Sequence, residues 1–402
     1  MPTPSLKYLF QKEFSRMVAV IAKRFGLHDV AAAEDLVSET FLLAAETWGT
    51  KGIPDNPEAW LYTVARQKAL YQYRRTKIYE ENVLPEWASV QAGTGGELDF
   101  SSENIQDSQL RMMFAVCTPA VAAEAQIGLA LRILCGFGLD EIAEAFLSNK
   151  ETINKRLTRA REKLRTEGVS LDLPEEEEME SRLDSVLKVI YLLFSEGYYS
   201  RTGNAVLRRE LCLEALRLGQ MLTVFGPTDQ PQTSALMALM CFHASRFPAR
   251  EAPGNPLYDQ QDVGRWDAEL MAQGRIFLAR SLRGTELSPY HLEAKIAMWH
   301  CQPEETPEKW QDILALYDLL LRVHYTPAAA LNRIVAVYKV RGPEAAIPEA
   351  LALAFESNHF YFLVLGELYR EVDGALSRQY FRRAVELARS PAEQEILLRR
   401  IG

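Results

Sequence analysis

Gly138–Arg165, GLDEIAEAFLSNKETINKRLTRAREKLR, divides into two helical patterns around a short break. Ile142, Ala143 and Phe146 share one face of the first, and a tight turn is expected at Leu147-Ser148. Ser148 and Glu151 fit a capping box, S-x-x-E, in which each group satisfies an orphan amide of the next helix. Ile153, Leu157, Ala160 and Leu164 then form an apolar stripe at intervals of four, three and four. Thr152, Lys155, Arg156, Arg159 and Lys163 take the opposite side, and seven Lys or Arg stand against two Glu between Ser148 and Thr166. A helix with one apolar face, one basic face and a capped start suits a recognition helix laid in a DNA groove. A solvated, salt-bridged surface helix has the same pattern, so the rest of the chain decides between them.

The chain has 402 residues and a formal net charge of −9, with apolar residues at 48%. That length suggests two to four domains and ample material for their cores. The charge is uneven: residues 60–77 hold five basic groups and no acid, whereas 78–104 hold six acids and no Lys or Arg. Five cysteines, Cys117, Cys135, Cys212, Cys241 and Cys301, have long spacings and no C-x-x-C. Free, mostly buried thiols in a reducing compartment are expected. No apolar run reaches bilayer length and the N-terminus lacks a signal peptide's apolar region, so a cytoplasmic location without membrane contact is expected.

Residues 6–25 predict an amphipathic helix with Leu9, Phe10, Phe14, Met17, Val18 and Ile21 inward, stopped at Gly26. A second helix, 30–48, places Val37, Phe41, Ala44 and Trp48 inward and Glu34, Asp35, Ser38, Glu39 and Glu46 outward. Gly49–Asn56 reads as a loop, from which Asn56 caps a third helix that has Pro57 at its first position. That helix interleaves Trp60, Tyr62, Tyr71 and Tyr73 with Arg66, Lys68, Arg74, Arg75 and Lys77. Aromatic rings give unpaired bases a stacking surface and cations neutralise phosphate, so this composition suits a strand held open. The acidic, Gly-containing stretch 78–104 reads as a flexible linker, one able to compete with DNA for the basic modules on either side.

Together these segments resemble a bacterial sigma factor of the extracytoplasmic-function type. AEDLVSETF (33–41) is similar to the helix that docks on the clamp helices of RNA polymerase. WLYTVARQKALYQYRR (60–75) is similar to the helix that engages the melted −10 element. LDEIAEAFL and TINKRLTRAREKLR, within 139–165, are similar to the helix-turn-helix that reads the −35 element. Ser38 stands where the family usually has Gln. The resemblance implies contacts with core polymerase, at its clamp helices and flap, through Asp35, Leu36, Glu39 and Phe41. It implies a −10 site of Thr50, Lys51, Asp55, Asn56, Trp60, Tyr62, Arg66, Lys68, Arg74 and Arg75, in which the loop before the third helix holds a flipped base. It implies a −35 site of Ser148, Lys150, Thr152, Lys155, Arg156, Arg159 and Lys163. It implies no catalytic residue, metal or cofactor.

Residues 169–402 add a further all-α region, with breaks at Gly203, Gly226-Pro227, 247–256, Gly284, Pro303–Pro307 and Gly342-Pro343. Phe362, Leu365, Gly366 and Tyr369, followed by Phe381 and Ala384, match the two helices of a tetratricopeptide repeat. The segments YLLFSEGYY (191–199), LCLEALRLG (211–219), DQQDVGRWD (259–267), SPYHLEAKIA (288–297) and TPAAALNRIVAV (326–337) resemble the C-terminal extension of one sigma-factor subgroup. Ser195 and Val263-Gly264 depart from that subgroup's pattern. The resemblance implies that the extension controls the sigma half or helps it act, in place of a separate anti-sigma protein, with a protein or small-molecule partner of its own. Asp259, Asp262, Arg265, Trp266 and Asp267 form the one cluster there that suggests a site. The plainer reading makes Trp266 core, pairs Arg265 with an Asp and makes the loop an interdomain seam. The six histidines have no zinc spacing.

The expected architecture is therefore all-α: a sigma region 2 domain (1–77), a linker (78–104), a region 4 helix-turn-helix domain (105–168) and a tetratricopeptide-like regulatory domain (169–402). The expected function is promoter-specific transcription initiation with core polymerase. The alternative is a helix-turn-helix regulator with a sensory helical domain, which needs the duplex-reading helix but not the stacking helix.

Overall fold

The computed structural model describes residues 6–25, 30–83, 98–199, 205–252, 260–388, 394 and 397–400. For residues 25, 73–83, 199 and 205–207 the description covers the backbone. Gly26, Gly203 and Asp259, used above as a stop, a break and part of a cluster, lie outside these residues. The described chain is helical, with no strand, and falls into two compact units, Met1–Thr228 and Asp229–Gly402.

The first unit begins with α1 (Leu6–Phe25), α2 (Val30–Lys51) and α3 (Pro57–Val83). Leu9, Phe14, Met17, Val18 and Ile21 of α1 are fully buried, as its periodicity requires. The second helix runs past Trp48 to Lys51, so Thr50 and Lys51 belong to its last turn and not to a loop. Asn56 caps α3 as expected, its Oδ1 accepting the Ala59 amide at 3.0 Å. The expected linker is shorter than its composition suggested: α3 continues to Val83, and α4 (Ser102–Val116) starts before residue 104. Ser101 caps α4, which buries Leu110, Met112, Met113, Phe114 and Val116.

Next come α5 (Ala123–Leu129), prolonged by a π-helical turn at Ala130–Leu134, then α6 (Leu139–Ala145) and α7 (Lys150–Thr166). The unit does not end at Gly168. Helices α8 (Glu176–Tyr199) and α9 (Ala205–Val224) belong to it and are tied to the helices before them. Arg182 donates to the Phe114 carbonyl and Arg217 to the Leu134 carbonyl, both at 2.7 Å. Gly197 lets α8 and α9 touch, since a β-carbon there would lie 2.6 Å from the Arg208 carbonyl oxygen and from Cys212 Sγ.

The second unit runs from α10 (Pro231–Ala244) and the short α11 (Phe247–Arg250) through α12 (Ala268–Ser281), α13 (Pro289–His300), α14 (Pro307–Val323), α15 (Pro327–Arg341), α16 (Pro343–Leu353), α17 (His359–Leu368) and α18 (Gly374–Leu387). Six of these, α10, α11 and α13 to α16, carry Pro in the first turn, where no intrahelical amide is lost. Trp310, Ile313, Leu331, Ile334, Val337, Tyr361 and Leu365 share one core across α14, α15 and α17. The Gly366–Phe381 approach is tight: a β-carbon at 366 would lie 2.7 Å from the Phe381 ring, and Ser377 Oγ donates to the Gly366 carbonyl at 2.7 Å.

Two glycine substitutions separate packing from propensity. Gly197→Ala is expected to lower the first thermal midpoint, because overpacking at a helix contact costs about 1–3 kcal/mol. Gly49→Ala meets nothing within 4 Å and is expected to raise it, by about 0.5–1 kcal/mol. Thermal unfolding followed by far-UV circular dichroism reads both.

Candidate nucleic-acid interface

The helix-turn-helix forms as read, with one shift. Leu147 turns the chain with φ 48°, and Asn149, not Ser148, caps α7 by accepting the Thr152 amide at 2.8 Å. Both residue types cap well. The αL residue at 147 sets the register, leaving Asn149 extended at φ −107°, ψ 155°. Ser148 is therefore a turn residue, and Glu151 stands in the first turn without the expected box. Ile153, Leu157, Ala160 and Leu164 are buried against the rest of the unit.

Thr152, Lys155, Arg159 and Lys163 are exposed on the other side. Lys150 pairs with Asp140 at 2.9 Å, Lys163 with Glu167 at 2.8 Å, and Arg156 with Glu124 at 3.3 Å. Lys155 and Arg159 have no acid partner among the described residues. Thr152, Lys155, Arg156, Arg159 and Lys163 line an open groove of about 520 Å³, whose far wall is Ala120, Val121, Ala122 and Ala125. The groove thus has an apolar wall and a cationic wall.

The expected −10 residues are partly together. Lys51 and Asp55 are exposed, Thr50 Oγ1 is bonded within its own helix at 3.1 Å, and Asn56 is spent on its cap. Trp60 is half-buried, edge-on to Trp48 at 5.3 Å. The Tyr62 hydroxyl donates to the buried Glu13, and burial, then that bond, push its pKa up. The Tyr62 ring lies flat on Phe100, with centroids 4.8 Å apart and planes at 2°. Arg66 follows one turn later, and Lys68 pairs with Glu39 at 2.8 Å. Tyr71, 72% exposed, offers an open ring that sequence reasoning placed on the helix but not in the site. The side chains of Arg74 and Arg75 lie outside the description.

On α2 the expected docking set splits. Asp35 and Glu39 are exposed, but Leu36 and Phe41 are only 4% and 5% exposed, and so are core residues in this arrangement. Leu42, at 61%, faces outward on the stripe with Asp35, Glu39 and Glu46, and is more exposed than its neighbour Leu43 at 37%. An exposed apolar residue inside an acidic helix face was the signal for it. Glu34 is a second residue that the sequence misplaced. It was expected in water, yet it is 4% exposed, with Arg132 donating at 2.8 Å and Arg161 at 2.6 Å to its two oxygens.

In the second unit Trp266 is core, as the plainer reading held, while Asp262 and Asp267 cap local turns through Gly264 and Leu270. Arg265 is exposed and takes no Asp among the described residues, Asp259 lying outside them. All five cysteines are free and buried, and burial pushes the Cys117 and Cys241 thiols up to about 12. Burial brings His243 down to about 3 and His300 to about 4. Among the described residues no three metal-ligating side chains gather, and no helix is long and apolar enough to cross a membrane.

Comparison with known proteins bears on the part of the chain that holds α2 and α3. Residues 10–78 match sigma-70 region 2, the domain by which sigma factors, themselves non-catalytic, meet core RNA polymerase and promoter DNA. Residues 182–282 match a family of unknown function (DUF6596). No solved structure matches the chain significantly. An uncharacterized protein of Rhizobium meliloti (strain 1021) is 32% identical over 372 residues, covering 90% of this chain and 87% of its own length. With that identity over nearly its whole length, the chain belongs to the same family as the Rhizobium protein, and it brings to that family a sigma-70 region 2 at its N-terminal end.

Proposed function

We propose that the chain is a sigma factor of the extracytoplasmic-function type, in which α2 docks on core polymerase, α3 holds the unpaired −10 strand and α7 reads the −35 duplex. The sigma-70 region 2 match over 10–78 carries the reading. The basic outer face of α7, absent from that match, supports its second half. On α2, Asp35 and Glu39 supply charge and Leu42 the apolar contact. On α3 the stacking rings are Trp60, Tyr62 and Tyr71, with Arg66 and Lys68 for phosphate. On α7, Lys155 and Arg159 meet the duplex first, because no internal ion pair has to be broken. The second unit is a tetratricopeptide-like domain that modulates the first; the Gly366–Phe381 helix contact supports that likeness.

Run-off transcription with purified bacterial core polymerase tests the whole reading. Product from a cognate promoter is expected, and a chain that binds promoter duplex but never yields product with core polymerase is a helix-turn-helix regulator instead. Lys155→Glu with Arg159→Glu is expected to weaken duplex binding at least tenfold. It should also flatten the slope of log affinity against log salt by about two, as two lost phosphate contacts require. Leu42→Arg is expected to reduce core-polymerase association in a pull-down while leaving duplex binding unchanged. A chain ending at Thr228 is the proper comparison for modulation, since a cut at Gly168 would strip α8 and α9 from Phe114 and Leu134.

A further inference from the structure

The acidic stretch between the two modules ends on the strand-binding side of α3. Phe100 lies flat on Tyr62, with ring centroids 4.8 Å apart. Its neighbour Asp99 is exposed and accepts the Ser101 amide and hydroxyl at 2.8 Å each. An aromatic ring at the end of the acidic stretch thus covers an aromatic ring of α3. An unpaired base makes the same contact, face on ring.

The segment is held there on purpose-built anchors. Leu98 is buried, and the Asn104 side-chain amide donates to the Asp99 carbonyl at 2.7 Å. Lys23 of α1 reaches Asn104 at 2.6 Å and Asp107 at 2.7 Å, and Gln109 reaches Ser15 at 3.4 Å. Farther along, Glu34 joins α2 to Arg161 of α7. Elements centred at −10 and −35 lie roughly 85 Å apart along B-DNA at 3.4 Å per base pair. A compact unit of 228 residues has a radius of gyration of only about 17 Å. Both sites cannot be filled while the unit is closed.

We propose that residues 98–101 are a built-in competitor for the unpaired strand, Phe100 taking the place of a base on Tyr62. This rests on the reading of α3 as the strand-binding helix. The free protein is then closed to single strands until α4 leaves α1, and the energy of that release sets how readily it engages an open promoter.

Fluorescence anisotropy of the full chain with a labelled, mixed-sequence 12-nucleotide DNA strand at fixed low salt tests the competitor. Phe100→Ala is expected to tighten binding about tenfold. Phe100→Trp, which stacks over a larger area, should weaken it below wild type; a merely damaged fold would not give opposite signs. Adding Tyr62→Ala to the opened variant should remove the gain. If opening leaves affinity unchanged or lower while Tyr62→Ala still weakens binding, the strand reading stands and the competitor is overturned. If no variant binds the strand, the reading of α3 fails and the competitor fails with it.

Discussion

A buried carboxylate between two guanidiniums joins the helices of the first unit. Glu34 is almost without solvent, so its charge is tolerable only because each oxygen receives an arginine. Arg132 is held in turn by the Phe137 carbonyl at 3.2 Å and lies over the Phe14 ring at 5.1 Å. Arg161 brings in α7, the helix whose opposite face carries the exposed cations. Removing one member of such a cluster commonly costs about 3–5 kcal/mol, because the remaining charge stays buried. One acid on α2 therefore fixes the π-helical turn after α5 and α7 together.

The surface pairs behave differently. Lys150–Asp140, Lys163–Glu167 and Arg165–Glu162 are exposed at both ends, and such pairs are worth about 0–1 kcal/mol. They hold their side chains loosely. Lys68–Glu39 joins α3 to α2 at 2.8 Å.

How well the sequence could be read depended on how far away each residue's partner lies. Ile153, Leu157, Ala160 and Leu164 were legible because helical periodicity alone sorts them inward. Asn56 and Pro57 were legible because a cap and a first-turn proline act on their nearest neighbours. The Ser148 box was off by one because Ser and Asn are equivalent caps locally, and the αL turn at Leu147 chose between them. Leu36 and Phe41 were placed on a contact surface by likeness to a motif, although both pack inward. Glu34 was missed for the opposite reason: its partners lie 98 and 127 residues away.

The sequence by itself determined an all-α chain, a basic amphipathic helix after a tight turn, an aromatic and cationic helix near the N-terminus, and free thiols, because each is written in local spacing or composition. Only the tertiary structure decided that α8 and α9 belong with the first unit, that Glu34 is a buried anchor, and that Phe100 covers Tyr62. Those three depend on which surfaces meet across long stretches of chain. Burial turns an ordinary acid into a structural charge, and only the folded chain specifies what is buried.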